Sequence, residues 1–118
     1  MCVKGRWLGK YRDMTNAVMV WMTAPNAEVA AKIAKALVNE SLAACVNIFP
    51  QVRSIYRWED KVEDEAEVSM LAKTTVAGFE PLSARVKALH PYKVPEIIAV
   101  PVTHGHAPYL KWLEESVR

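Results

Sequence analysis

His104-Gly105-His106 places two imidazoles one residue apart, the strongest local signal for metal chemistry in the chain. At the end of a strand, positions i and i+2 share a face, so the two rings would chelate Cu²⁺ or Zn²⁺ through nitrogen donors. The competing reading is a strand-end turn, which Gly105 suits better than a ladder. Cys45, between Ala44 and Val46, offers a soft ligand for Cu(I). An apolar setting disfavours the thiolate, however, and free cysteine is among the most buried residue types, so a core role competes. Glu59, Asp60, Glu63, Asp64, Glu65 and Glu67 set six carboxylates in nine residues, a run that gathers hard cations weakly. The run lacks the spacing and glycine of a calcium loop. A solvated hairpin tip that discourages edge-to-edge aggregation explains it as well.

Catalytic signatures are absent: there is no G-x-S-x-G, H-E-x-x-H, Walker loop or G-x-G-x-x-G. A Cys45–His90 pair is the remaining nucleophilic combination, and only proximity in space decides it. The expectation is that the chain is not an enzyme.

The elements that must hold these residues follow from periodicity. Ala17–Thr23 is a continuous apolar run suited to a strand covered on both faces. Pro25-Asn26 ends it, and Asn26 is a good N-cap for a helix carrying Val29, Ile33, Ala36 and Leu37 at helical spacing. Ala44–Trp58, interrupted at Pro50, and Val62–Thr75 read as the arms of a hairpin turning at Glu59-Asp60-Lys61. Arms of about 13 residues reach about 43 Å, beyond the roughly 35 Å diameter of a compact domain of this size, so the hairpin overhangs. Phe79, Leu82, Val86 and Leu89 form a second helix, with Pro81 in its first turn and His90-Pro91 ending it. Ile97–Thr103 is a last strand, and Pro108 starts a short helix with Tyr109, Leu110, Trp112 and Leu113. The order β-α-β-β-α-β plus a helix predicts an α+β, ferredoxin-like antiparallel sheet. Its second and fourth strands are edges, where Pro50 and Pro101 are tolerated. Exposed edges and apolar Ile55, Tyr56 and Trp58 near the hairpin tip predict a symmetric oligomer built by sheet extension.

With 118 residues, 52% apolar and 24% charged, the chain has the size and composition of one folded domain. Residues 1–16 read as a flexible extension and 17–118 as the domain; Met14 offers an alternative start. The net charge of +2 is uneven. Lys4, Arg6, Lys10 and Arg12 against Asp13 give the first 14 residues +3, leaving 11 of the 15 basic and 12 of the 13 acidic residues to the rest. A near-neutral body with a basic tail is not a nucleic-acid groove. The longest apolar stretches, Ala17–Met22 and Ile97–Val102, fall far short of the about 20 residues that span a bilayer, so no membrane partner is expected. Met1–Asn16 has no apolar core of a secretory signal, while an amphipathic transit peptide stays open. Two cysteines, Cys2 and Cys45, make no disulfide scaffold, which fits a cytoplasmic, reducing setting.

Several motifs resemble the CutA family of divalent-cation tolerance proteins. They are Thr23-x-Pro25, Leu42-Ala43-Ala44-Cys45-Val46-Asn47-Ile48, Ser54-Ile55-Tyr56-Arg57-Trp58, the run from His90 through Pro91-Tyr92-Lys93-Val94-Pro95-Glu96 to Ala99, and Tyr109-Leu110-Lys111-Trp112-Leu113. The resemblance covers roughly residues 17–117. It implies a homotrimer similar in topology to the PII signalling proteins, associated with tolerance to copper and other divalent metals, with no settled reaction and no required cofactor. Some members carry a Cys in the Thr-x-Pro turn and His-His before Pro-Tyr, residues proposed to bind copper. This chain has Ala24 and Leu89-His90 there, so only His90 carries over as a ligand candidate beside His104 and His106. Lys93 and Asp60 replace the family's more usual Glu and Gly. By the same resemblance, Cys45, Glu67, Lys73, Tyr92, Glu96, Tyr109 and Trp112 line the clefts between protomers. There an ammonium, carboxylates and aromatic walls suit a small anionic or zwitterionic ligand, while interface packing is the competing role. Three functions remain in view: a trimer in copper tolerance that binds Cu²⁺ weakly, a PII-like module binding a small ligand in the cleft, and an anchoring trimer with no ligand.

Overall fold

The computed structural model describes residues 15–118. The expectations that fall on residues 1–14, including the basic tail, Cys2 and the start at Met14, lie outside these. Thr15 and Asn16, read from sequence as extension, already belong to the body. Thr15 Oγ1 donates to the Val102 carbonyl at 2.6 Å, and the Asn16 carbonyl accepts from the Val76 N–H at 3.0 Å.

The elements are β1 (Ala17–Ala24), α1 (Ala27–Asn39), β2 (Cys45–Trp58), β3 (Lys61–Thr75), α2 (Phe79–Leu89), β4 (Ile97–Pro101) and α3 (Ala107–Glu115). They form one antiparallel sheet in the order β2-β3-β1-β4, the α+β, ferredoxin-like arrangement the sequence predicts. Asn26 caps α1 as expected, its Oδ1 accepting the Val29 N–H at 2.9 Å. Ser41, at φ 59°, takes the left-handed turn that lets the chain double back toward the sheet. Gly78 opens α2. A Cβ there would stand 2.5 Å from Thr74 Oγ1 and 3.0 Å from Val117 Cγ1, so the close approach of helix and strand requires glycine.

Period-two alternation divides the sheet into unlike faces. Val20, Met22, Val68, Met70 and Ala72 point toward α1 and α2 and bury against Ile33, Leu37, Leu82 and Val86. The other face carries Met19, Trp21, Phe49, Leu71, Ile98 and Val100, brought side by side by the strand register. The rings of Trp21 and Phe49 meet edge to face, with centroids 5.7 Å apart. Ile98 is 57% exposed and Phe49 38%, so β1 is covered on one face by its own helices and only in part on the other. That corrects the expectation of a strand covered on both faces within one chain.

Both prolines lie on edge strands as expected. Pro50 sits in a bulge where Pro50 and Gln51 stand opposite Val68 alone, and Pro101 closes β4. The hairpin turn is tighter than read. Only Glu59 and Asp60 turn, at φ 51° and 67°, the left-handed pair of a two-residue turn, while Lys61 already pairs with Trp58. β3 pairs with β1 from Val68 onward, so Lys61–Glu67 projects beyond the sheet and the long axis reaches 41 Å. β4 stops at Pro101 rather than Thr103: one further bond, from the Val102 N–H to the Ala17 carbonyl at 3.0 Å, follows the ladder, and the Val102 carbonyl then accepts from the Thr15 hydroxyl instead of from a strand.

Candidate functional site

Where the overhanging hairpin passes the segment after α2, a cavity of about 740 Å³ opens between them. Its floor is Glu67, at the point where β3 leaves the sheet. The side chain is 8% exposed, and its Oε2 accepts a hydrogen bond from Tyr92 Oη at 2.9 Å. Burial first, and then this bond to a carboxylate, push the Tyr92 hydroxyl up to about 12. Further along the hairpin, Tyr56 Oη donates to Glu65 Oε1 at 2.7 Å, which with the flanking carboxylates pushes that hydroxyl also up to about 12. Both phenols are therefore hydrogen-bond donors at neutral pH. Arg53 and Asp64 brace the hairpin with two parallel bonds of 2.8 and 2.7 Å. The arginine holds the Asp64 carboxyl below its ordinary range.

His90 positions Tyr92. Its ring is 8% exposed and its Nε2 lies 2.7 Å from the Thr23 carbonyl, to which it must donate. Its Nδ1 accepts the Tyr92 N–H at 3.1 Å, and the two rings pack at a tilt of 51° with centroids 4.7 Å apart. A neutral imidazole has one donor and one lone pair, and both are used by backbone. In this conformation both ring nitrogens of His90 are taken up by backbone, and a metal would have to displace one of these bonds. Nor does His90 meet Cys45. Cys45 stands opposite Lys73, and Thr23, which holds His90, opposite Ser69, four ladder positions or about 13 Å apart along β3. No nucleophile–base pair forms from these two residues.

His104 and His106 follow β4 instead of ending it, so the strand geometry that would align their rings is not met. Both are exposed. His104 Nδ1 lies 2.8 Å from Thr103 Oγ1, and His106 is the N-cap residue of α3 without a side-chain cap bond. Among the described residues, no three His, Cys, Asp or Glu side chains converge as a metal site.

The residues expected in one cleft fall into two groups within a chain. Glu67, Tyr92 and Glu96 line the cavity. Cys45, Lys73, Tyr109 and Trp112 gather at the other end of the sheet. There Lys73 Nζ donates to Tyr109 Oη at 3.2 Å and sits 5.5 Å from its ring centroid, and Trp112 packs on Tyr109 at 5.4 Å. Cys45 is the cross-strand partner of Lys73. Six residues of β3 separate Glu67 from Lys73, about 20 Å. Sequence reasoning missed Tyr56 and Glu65 as a pair. A two-residue turn at Glu59-Asp60 sets Tyr56 opposite Glu63 and diagonal to Glu65, so a correct turn would have revealed them.

Residues 18–116 match the family model described as CutA1 divalent ion tolerance protein. The chain is 55% identical over 98 residues to the divalent-cation tolerance protein CutA of Thermus thermophilus, covering 83% of this chain and 95% of that one. The solved structure of the divalent cation tolerance protein from Thermus thermophilus superposes with a TM-score of 0.85 at 53% identity, over 86% of this chain and 99% of that one. The chloroplastic protein CutA of Arabidopsis thaliana is 46% identical over 102 residues, 86% of this chain and 56% of that longer protein. The periplasmic divalent cation tolerance protein CutA of Archaeoglobus fulgidus superposes at 0.84 with 40% identity, over 86% of this chain and 99% of that one. No helix among the described residues is long and apolar enough to cross a membrane.

Proposed function

The chain belongs to the CutA1 divalent ion tolerance family, and from that premise we propose that it is a homotrimeric, non-enzymatic protein that raises tolerance to divalent metals, Cu²⁺ first among them. The observation that carries this reading is the family match over residues 18–116. The trimer is supported by the partly covered sheet face and by the two open edges of β2 and β4, which copies of the same chain can close. Cu²⁺ is held weakly by His104 and His106, the two imidazoles that the fold leaves exposed, with further donors from a neighbouring copy. No cofactor is required, and neither nucleic acid nor membrane is a partner. The compartment is the cytoplasm, although relatives named periplasmic and chloroplastic indicate that the family serves several.

Expression in a bacterium deprived of its own family member tests the proposal. Growth is expected to resume at a copper concentration that arrests the same strain carrying no copy. Superimposable growth curves for the two strains would overturn it.

A second reading is favoured by the cavity beneath the hairpin: a module that binds a small ligand and passes the state of the hairpin to a partner, as the likeness in topology to PII proteins suggests.

A further inference from the structure

The overhanging hairpin leaves the sheet at the same level on both of its strands. β3 pairs with β1 only from Val68 onward, and β2 carries its bulge, Pro50 and Gln51, opposite that same Val68. A bulge leaves a residue out of the ladder and bends its strand, and Pro50 brings no N–H to the pairing. Beyond this level, residues 52–67 are tied to one another rather than to the body. Their ladder runs unbroken from Val52 and Glu67 to Trp58 and Lys61, and the Arg53–Asp64 and Tyr56–Glu65 bonds brace it across the strands. Among the described residues, one side-chain hydrogen bond joins this arm to the rest of the chain, from Tyr92 Oη to Glu67 Oε2 at 2.9 Å. Tyr92 is itself fixed to the body through His90, whose Nδ1 accepts the Tyr92 N–H and whose Nε2 donates to the Thr23 carbonyl. The contact is a balanced one. It holds the Glu67 side chain at 8% exposure, and swinging the arm away returns that carboxylate to water, which offsets the bond that is lost.

We infer that residues 52–67 form a hinged arm that turns as a unit about the bulge at Pro50 and Gln51, and that the Tyr92 bond to Glu67 is the latch that holds the arm in the direction at which its tip meets a neighbouring copy. The hinge and the latch belong to the single chain. Their link to assembly rests on the trimer proposed above, in which a neighbouring copy covers the exposed Ile55 and Trp58 near the tip. Opening the latch tilts the arm and withdraws that contact while the sheet stays folded.

Tyr92→Phe is the test, because the ring and the N–H bond to His90 remain and only the hydroxyl is lost. Hydrogen exchange of the full-length, assembled protein is followed segment by segment. Exchange over residues 49–53 and 66–69, at the hinge, is expected to quicken about tenfold, while β1 and the arm's own ladder keep wild-type rates. Glu67→Gln, whose amide oxygen still accepts from Tyr92 with no charge to withdraw from water, exchanges no faster than wild type. In sedimentation, the Tyr92→Phe trimer comes apart at a protein concentration that leaves the wild type intact. Unchanged hinge exchange in Tyr92→Phe, or quickened exchange in Glu67→Gln, overturns the latch. Faster exchange along the whole arm means a fraying hairpin and overturns the hinge. Quickened hinge exchange in a trimer as tight as the wild type overturns the link to assembly. A wild type that sediments as a single chain overturns the trimer reading instead, and the exchange result still decides the hinge and the latch.

Discussion

Ile98→Asp is expected to reduce the native mass from three times 13.2 kDa to 13.2 kDa at micromolar concentration, as read by sedimentation equilibrium. Ile98 sits on β4 opposite Trp21, on the sheet face that the chain's own helices do not cover, and is 57% exposed in a single chain. An aspartate there meets water in the monomer, so the change leaves the chain's own core intact. In a trimer closed over this face the same carboxylate is buried without a partner. Losing the isoleucine's burial costs about 1.5–3 kcal/mol, and stranding the charge adds more, at each of three copies. A variant that sediments with the wild type places the interface elsewhere.

His90→Ala is expected to cost about 2–4 kcal/mol of stability in urea denaturation at matched chain concentration. The substitution strands the Thr23 carbonyl and the Tyr92 N–H and empties a buried site beside the end of β1. It also frees Tyr92 from the tilted ring contact that aims its hydroxyl at Glu67. The exposed pair behaves differently: His104→Ala with His106→Ala stays within about 0.5 kcal/mol of wild type, as substitutions away from packed features do. Equal costs for the two experiments would mean that the backbone bonds of His90 contribute nothing to the native state.

The sheet was legible in the sequence because its signals are local. Apolar runs and alternation marked β1 and β3, Asn26 marked the start of α1, and the prolines at 50 and 101 independently named the edges. What was not legible depends on partners distant in the chain. The end of β4 is decided by its pairing with the start of β1, 84 residues earlier, since Ala17–Ala24 and Ile97–Pro101 must share a ladder. The role of His90 is set by a carbonyl 67 residues away. The burial of Glu67 cannot be read from an acidic run whose other members are largely exposed; it arises because Tyr92 folds over the one carboxylate that lies where β3 enters the sheet. The seven residues expected in the clefts between protomers fall, within one chain, into two groups about 20 Å apart along β3. Only assembly could bring the Lys73 group of one copy to the Glu67 group of another.

Direct handling of copper by the trimer is most sharply tested by calorimetric titration of the metal-stripped protein with Cu²⁺ against a competing chelator, with sites counted per trimer. Weak but saturable binding at one site per chain is expected, and it disappears when His104 and His106 are both changed to Ala while the fold and the mass are retained. Cu²⁺ binding that persists undiminished in that double variant, or that never reaches stoichiometry in the wild type, would contradict a direct role for these imidazoles.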